Sequence, residues 1–289
     1  AQNVLVDEPM SRHTTFRIGG PADYFVSVSS VEEIREVLGA CRRNSAAYYI
    51  MGNGSDLLVG DKGYRGVIIQ LFKRMSEIRV EGERIYAQAG ALLSKTAAAA
   101  CEASLTGMEF ASGIPGTLGG ALRMNAGAYG GEMKHIVESA DILTPEGEVK
   151  TLSVEELGMG YRTSVISRND YVALGAVLKL KRGEQEQIRA RMEELKEKRV
   201  EKQPLEYGRA GSTFKRPEGY FAGKLIEDAG LRGYRVGDAQ VSEKHCGFVI
   251  NRGNATAAEV AQLMEDVADR VEEKFGVRLQ PEVKKIGEF

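Results

Sequence analysis

Two stretches of this chain have the composition of main chain laid against a ligand. The shorter, Gly52-Asn53-Gly54-Ser55-Asp56, follows an apolar run over 47–51. Successive N–H groups flanked by small residues can converge on an anion such as a diphosphate, and Ser55 adds a hydroxyl. Taken alone, the cluster reads as a turn, because these residue types dominate turns. The longer stretch spans 107–131 and reads GMEFASGIPGTLGGALRMNAGAYGG. It holds eight glycines and Pro115, and only Glu109 and Arg123 carry charge. Glycine permits positive φ and lets N–H groups approach a phosphate or a flat ring with no Cβ in the way. A run of this kind is expected to be neither a surface linker nor a helix. Ile114, Leu118, Leu122 and Met124 should bury it against a core, where a bound cofactor would satisfy its polar groups. A set of glycine turns between core elements is the alternative.

A third loop, over 206–217, combines Gly208, Gly211 and Ser212 with the cations Arg209, Lys215 and Arg216. None of the three loops ends in Lys-Ser or Lys-Thr, which excludes the nucleotide P-loop, and no GxGxxG follows a strand. Cys41, Cys101 and Cys246 are scattered and odd in number, with no CxxC pair. They read as reduced structural thiols, with no disulfide framework and no metal site. The 39 basic and 41 acidic residues nearly balance, so nothing points to nucleic acid or to a membrane surface. No apolar run approaches the roughly 20 residues needed to cross a bilayer. There is no basic-then-apolar leader, so the expected compartment is the cytoplasm.

The elements that must position these loops follow from periodicity. At 289 residues the chain has room for two domains or three small ones, on a prior of about 150 residues each. Alternation predicts strands over 24–28, 47–51 and 67–71, with a short apolar segment over 57–59. Ser30 opens a helix to residue 43, with Glu33 completing a capping box and Val31, Ile34, Val37 and Leu38 on one face. Residues 78–89 form a hairpin turning at Glu81-Gly82, 92–104 an Ala-rich helix, and 137–143 with 149–152 a second hairpin. Ser153 and Glu156 cap a short helix, 171–180 is an apolar strand, and 184–202 is a charged connector helix. The composition changes near Gln203-Pro204. Beyond that point a helix over 220–229 is stopped by Gly230, and strands lie at 234–242 and 247–251. Thr256 and Glu259 cap a long amphipathic helix closed by Gly276. The last strand, 277–286, alternates Val277, Leu279, Pro281 and Val283 inward against Arg278, Gln280, Glu282 and Lys284 outward, and Pro281 marks it as an edge.

In this order and spacing, TTFRIGGPAD, GNGSDLLV, SGIPGTLGGALRMNAGAYGGE, YRTS, GSTFKRP and LQPEVKKIG resemble the UDP-N-acetylenolpyruvoylglucosamine reductase (MurB) family over nearly the whole chain. The short interval between Tyr161 and Ser212 and the segment GYFAGKLIEDAGL are similar to its type II subclass. Ala210 stands where that subclass often carries Cys, a position not required for proton transfer. The resemblance implies an α+β protein: a two-subdomain FAD-binding fold of the vanillyl-alcohol oxidase/p-cresol methylhydroxylase type, plus a C-terminal α+β substrate domain. The expected divisions are 1–70, 71–202 with the connector, and 203–289.

The resemblance also implies an activity and a set of residues. FAD, held non-covalently, would accept hydride from NADPH as co-substrate and pass it from flavin N5 to the methylene of UDP-N-acetylglucosamine enolpyruvate. The product is UDP-N-acetylmuramate, a peptidoglycan precursor. FAD contacts would come from Asn53, Gly54, Ser55, Asp56, Ile114, Pro115, Gly116, Gly119, Gly120, Asn125, Gly127, Ala128, Tyr129, Gly130 and Arg162. Tyr129 either shields the flavin or packs, and His13 is an ordinary loop residue rather than a covalent flavin attachment. Arg162 would stabilise charge developing on the enolpyruvyl carboxylate, Ser212 would deliver the proton to C2, and Glu282 would act from the other side as acid or orienting group. Lys215, Arg216, Lys224 and His245 are candidates for the substrate's diphosphate or carboxylate. A monomer is assumed. The same scaffold also supports an FAD-dependent oxidase that uses oxygen, and a non-catalytic nucleotide-sugar binder keeps the cleft without the chemistry.

Overall fold

The computed structural model describes residues 4–289. Its contacts group into two compact units, one made of Val26–Asn53 and Ile69–Arg199, the other of Val4–Phe25, Gly54–Ile68 and Val200–Phe289. The sequence suggested consecutive segments divided at 70/71 and 202/203, whereas these units interleave. Long-range main-chain pairing is the reason: Leu57–Val59 pairs in parallel with Lys284–Ile286, and Arg209 N–H donates to Thr15 O.

The first unit is built on a five-stranded antiparallel sheet in the order Val149–Ser153, Val137–Leu143, Val172–Lys179, Arg84–Gln88, Ile78–Glu81. Both expected hairpins are present. Glu81 pairs with Arg84 across Gly82, whose φ of 61° suits a two-residue loop. The apolar run of Val172–Lys179 places it at the centre of the sheet, with Leu174, Ala176 and Leu178 buried.

Six helices belong mainly to this unit: α1 (Val31–Arg43), α2 (Leu93–Glu102), α3 (Leu118–Met124), α4 (Val154–Leu157), α5 (Val165–Arg168) and α6 (Gln185–Lys202). At α1 the Ser30 hydroxyl accepts the Glu33 N–H as expected. The Glu33 carboxylate, however, reaches back to the Ser29 N–H and hydroxyl, so the box closes one residue earlier. The capping box of α4 forms as predicted between Ser153 and Glu156.

The glycine run departs from expectation, because its middle is a helix. Leu118, Ala121 and Leu122 fall on one buried face of α3, which packs on Val172–Lys179. A Cβ at Gly119 would come within 3.0 Å of the Ala89 Cβ, so a glycine there lets the helix approach the sheet edge closely. Burial of one face outweighs the propensity penalty of two glycines in a seven-residue helix.

The second unit closes around Phe16, Leu58, Phe214, Ile226, Val249, Leu263, Met264 and Val267, all buried. Its helices are α7 (Ala222–Asp228) and α8 (Ala257–Phe275). α8 bears out its sequence signature: Thr256 and Glu259 form the capping box, Gly276 ends it at φ 68°, and Val260, Leu263, Met264, Val267 and Val271 are buried. Asp61 adds a cap from a distant part of the chain, accepting from the N–H groups of Ala257 and Ala258 at 2.7 and 2.9 Å.

Two expectations in this unit are revised. The strand expected over 234–242 is a tight hairpin of Arg235–Val236 with Ala239–Val241, because Gly237 at φ 54° and Asp238 make a two-residue turn. The strand expected over 277–286 is formed only at Lys284–Ile286. Its alternation breaks where Glu282 donates its N–H to Thr213 O, which leaves Glu282 buried and Pro281 exposed, the reverse of the expected faces. Among the described residues, no helix is long and apolar enough to cross a membrane.

Candidate functional site

In the first unit the strand Tyr48–Met51 delivers Gly52 and Asn53 to the glycine run. A Cβ at Gly52 would lie 2.2 Å from Thr117 Oγ1, so only glycine admits this approach. Asn53 Nδ2 donates to Pro115 O at 2.9 Å, tying the short loop to the long one. Here a cleft of about 360 Å³ opens, walled by Tyr48, Gly52, Thr117, Gly119, Gly120, Arg123 and Tyr171. Along α3, a Cβ at Gly120 would meet only Thr117 Oγ1, at 3.8 Å, so this wall is bare main chain. Of the apolar residues expected to bury the run, Leu118 and Leu122 are fully buried, while Ile114 and Met124 are partly so. Tyr48, Thr117, Arg123 and Tyr171 did not stand out in the sequence. Thr117 had a signal as the β-branched residue between Gly116 and the Gly119-Gly120 pair, and the two tyrosines had none.

α3 ends at Asn125, a left-handed residue at φ 45°, after which Gly127–Ala128 pairs with Gly131–Glu132. Tyr129 and Gly130 form the turn of that ribbon with φ of 51° and 86°, the pattern of a hairpin turn with both central residues left-handed. Tyr129 is exposed on it. The Asn125 side chain is fully engaged: Nδ2 donates to Glu132 Oε2 at 2.9 Å and to Gly160 O at 3.1 Å, and Oδ1 accepts the Lys134 N–H at 3.0 Å. The Glu132 carboxyl is held below its usual range, chiefly by its bond with Lys134 and further by Asn125.

Arg162 sits in a four-residue turn closed by Gly160 and Thr163, which exchange N–H···O bonds of 3.0 and 3.4 Å. Its φ of 55° is unfavourable for an arginine, a cost of about 1–2 kcal/mol that the surroundings must offset. The guanidinium lies over the Tyr161 ring, 5.0 Å from its centroid. Beyond the turn, the fully buried Ser164 caps α5 and donates its hydroxyl to Arg123 O at 2.8 Å.

The second unit holds the other part of the short loop. Gly54 O accepts the Thr15 N–H at 3.1 Å, and Asp56 O accepts the Lys284 N–H at 3.0 Å, just before the pairing of Leu57–Val59 with Lys284–Ile286. Ser55 and Asp56 are partly exposed. Ser212 and Glu282 lie on adjacent segments of this unit. Glu282 N–H donates to Thr213 O at 2.8 Å, Lys215 N–H to Gln280 O at 2.8 Å, and Phe214 pairs with Pro281 between them. Ser212 is exposed, set between Gly211 at φ 68° and the buried Thr213.

Thr213 anchors the segment on its other side. Its N–H donates to Gly247 O at 2.9 Å and its hydroxyl accepts the Val249 N–H at 2.8 Å.

The cations expected around Ser212 are partly committed elsewhere. Arg209 donates to the carbonyls of Pro204, Leu205 and Tyr207, and its burial lowers its pKa. Arg216 donates to Tyr220 O and stacks over Phe221 at 4.0 Å. Lys224 pairs with Asp228 on α7. The His245 ring is pressed against Gly223 and Phe248 and accepts the Gly247 N–H on Nδ1 at 3.0 Å, although the residue keeps exposed surface. Desolvation of this ring pushes its pKa below the ordinary histidine value. Arg278 is not a partner for Glu282 in this arrangement, since it pairs with Glu265, Asp269 and Glu272 along α8. His13 bonds Glu8 and stacks on Phe25, as a loop residue does.

Comparison with known proteins accords with this architecture. Residues 22–153 match an FAD binding domain, and residues 203–286 match the C-terminal domain of UDP-N-acetylenolpyruvoylglucosamine reductase. Fold and matches together define an FAD-dependent oxidoreductase. The chain is 55% identical to a protein of Agathobacter rectalis named UDP-N-acetylenolpyruvoylglucosamine reductase, covering 99% of this chain and 95% of the relative. A protein of the same name from Lachnoclostridium phytofermentans is 53% identical over 99% of this chain and 94% of its own length. The crystal structure of the corresponding reductase (MurB) from Thermus caldophilus superposes with a TM-score of 0.84 at 35% identity, covering 98% of each chain. The chain belongs to the UDP-N-acetylenolpyruvoylglucosamine reductase family.

The residues present fit FAD. The cleft has the aromatic residues Tyr48 and Tyr171 and the cation Arg123 in its lining, and a bare glycine face along α3.

Proposed function

We propose that the chain catalyses the NADPH-dependent reduction of UDP-N-acetylglucosamine enolpyruvate to UDP-N-acetylmuramate, in cytoplasmic synthesis of the peptidoglycan precursor. The reading is supported chiefly by the match of one chain to both an FAD binding domain and the reductase C-terminal domain. FAD would be held by Asn53–Asp56, by the run from Ile114 to Gly120, and by Asn125 to Gly130. When bound, FAD supplies the two-electron relay between NADPH and the enolpyruvyl methylene.

The remaining work falls to side chains. Hydride arrival at the methylene leaves negative charge on C2 and its carboxylate, and the Arg162 guanidinium stabilises it through charge-assisted hydrogen bonds. The Ser212 hydroxyl donates a proton to C2, completing addition across the double bond. Serine is a weak acid, so the transfer requires nearby positive charge, for which Lys215 is the candidate on the same segment. Glu282, buried beside Thr213, orients the C2 region or shares the proton. Lys215, Arg216, Lys224 and His245 are the proposed contacts for the diphosphate and carboxylate, within a substrate domain of residues 203–289.

The test is an anaerobic titration followed by visible absorbance. NADPH should bleach the flavin bands and the enolpyruvyl sugar should restore them. A protein that stays reduced after the sugar is added, yet consumes oxygen with an alcohol, would replace this reading with the oxidase.

A further inference from the structure

Arg162 owes its position to a side chain remote from it in sequence. The turn Gly160–Thr163 holds an arginine in left-handed backbone, which must be enforced from outside. Two anchors do this, and both sit at the C-terminal end of α3. Asn125 Nδ2 donates to Gly160 O, the same carbonyl that accepts the Thr163 N–H to close the turn. Ser164 Oγ donates to Arg123 O on the far side of the turn. The Asn125 amide also bonds Glu132 and the Lys134 N–H, so the ribbon after α3 and the Arg162 turn share one buried hub, 1% exposed. We propose that Asn125 is a positioning residue for Arg162, an inference that rests on the catalytic reading of Arg162.

The variant that isolates the side chain is Asn125→Gly, because glycine keeps the left-handed C-cap and removes the amide. Turnover should fall about 100-fold, the scale of a misplacement near 1 Å, while flavin absorbance per protein is retained, because the Asn125 side chain is spent on Glu132, Gly160 and Lys134 and glycine keeps the main chain that would face FAD. The double variant Asn125→Gly/Arg162→Ala should turn over no more slowly than Arg162→Ala alone, since both changes remove the same interaction. Independently of turnover, trypsin should cut the Arg162–Thr163 bond of the purified protein about 10-fold faster once the turn loosens. Losses that multiply in the double variant, or unchanged cleavage at Arg162, would overturn the proposal. If Asn125→Gly does not fold, Asn125→Asp keeps the shape and the Lys134 acceptor while losing both donors, and is judged by the same three readouts. Normal turnover in Arg162→Ala alone would remove the catalytic reading, leaving the trypsin comparison to decide whether Asn125 holds the turn.

Discussion

The segments bearing Arg162 and Ser212 are held in opposite ways. Arg162 stands in a strained turn fixed by side chains, Asn125 on one flank and Ser164 on the other. Ser212 precedes a segment fixed mainly by its own main chain, which pairs with Gln280 to Glu282 on one side and Gly247 on the other. Side-chain networks set a direction finely but fail when one member is lost. Main-chain pairing tolerates substitution, because every residue type offers the same N–H and C=O.

The contrast predicts how function and stability separate. Ser212→Ala should lower the rate of flavin reoxidation by the enolpyruvyl sugar about 10²–10⁴-fold while NADPH reduction is unchanged, as stopped-flow absorbance would show. The melting temperature should stay within the range of an ordinary surface change, because the exposed Ser212 supports nothing; a large drop would undo the distinction. Arg162→Gly should cost about 10²–10³-fold in kcat with no loss of stability in urea, since glycine relieves the left-handed strain.

Thr213→Val sharpens the other side. It leaves the buried Val249 N–H without its acceptor and should cost about 1–3 kcal/mol in unfolding free energy. At 25 °C its kcat should stay near wild type, because the main-chain bonds that hold Ser212 remain; a collapse in turnover would mean that side chains position this segment too.

The smallest effect concerns pH. The folded His245 has a lowered pKa, so the unfolded chain binds more protons below the ordinary value of about 6.5. Stability from this group is therefore complete above that value and is lost as pH falls toward the folded pKa. Between pH 7.5 and 5.5, wild type should lose more stability than His245→Gln in paired urea titrations. Equal losses would show that the ring is not the titrating group.

Local signals carried much of the fold into the sequence. α8 was legible because its cap, apolar stripe and terminal glycine agree, and the hairpin over 78–89 because Gly82 supplies its turn. The helix inside the glycine run was not legible, since the burial that drives α3 depends on the sheet beneath it. Nor was the inward turn of Glu282, which follows from one hydrogen bond to Thr213, far away in sequence.

The same limit applies to the site. The loops containing Asn53 and Gly120, and the segment with Ser212, announced themselves by composition. The left-handed φ of Arg162 and the three bonds of Asn125 did not, because they join residues that only the folded chain brings together.

The parallel pairing of Leu57–Val59 with Lys284–Ile286 has a consequence for biosynthesis. A ribosome delivers the first of these strands long before its mate. Until that mate emerges, Leu57, Leu58 and Val59, buried in the folded protein, await their partner. The second unit therefore cannot complete until both strands have emerged, and its nascent chain is a natural client for holding chaperones in a way that the hairpins at 78–88 and 137–153, finished within moments of emergence, are not.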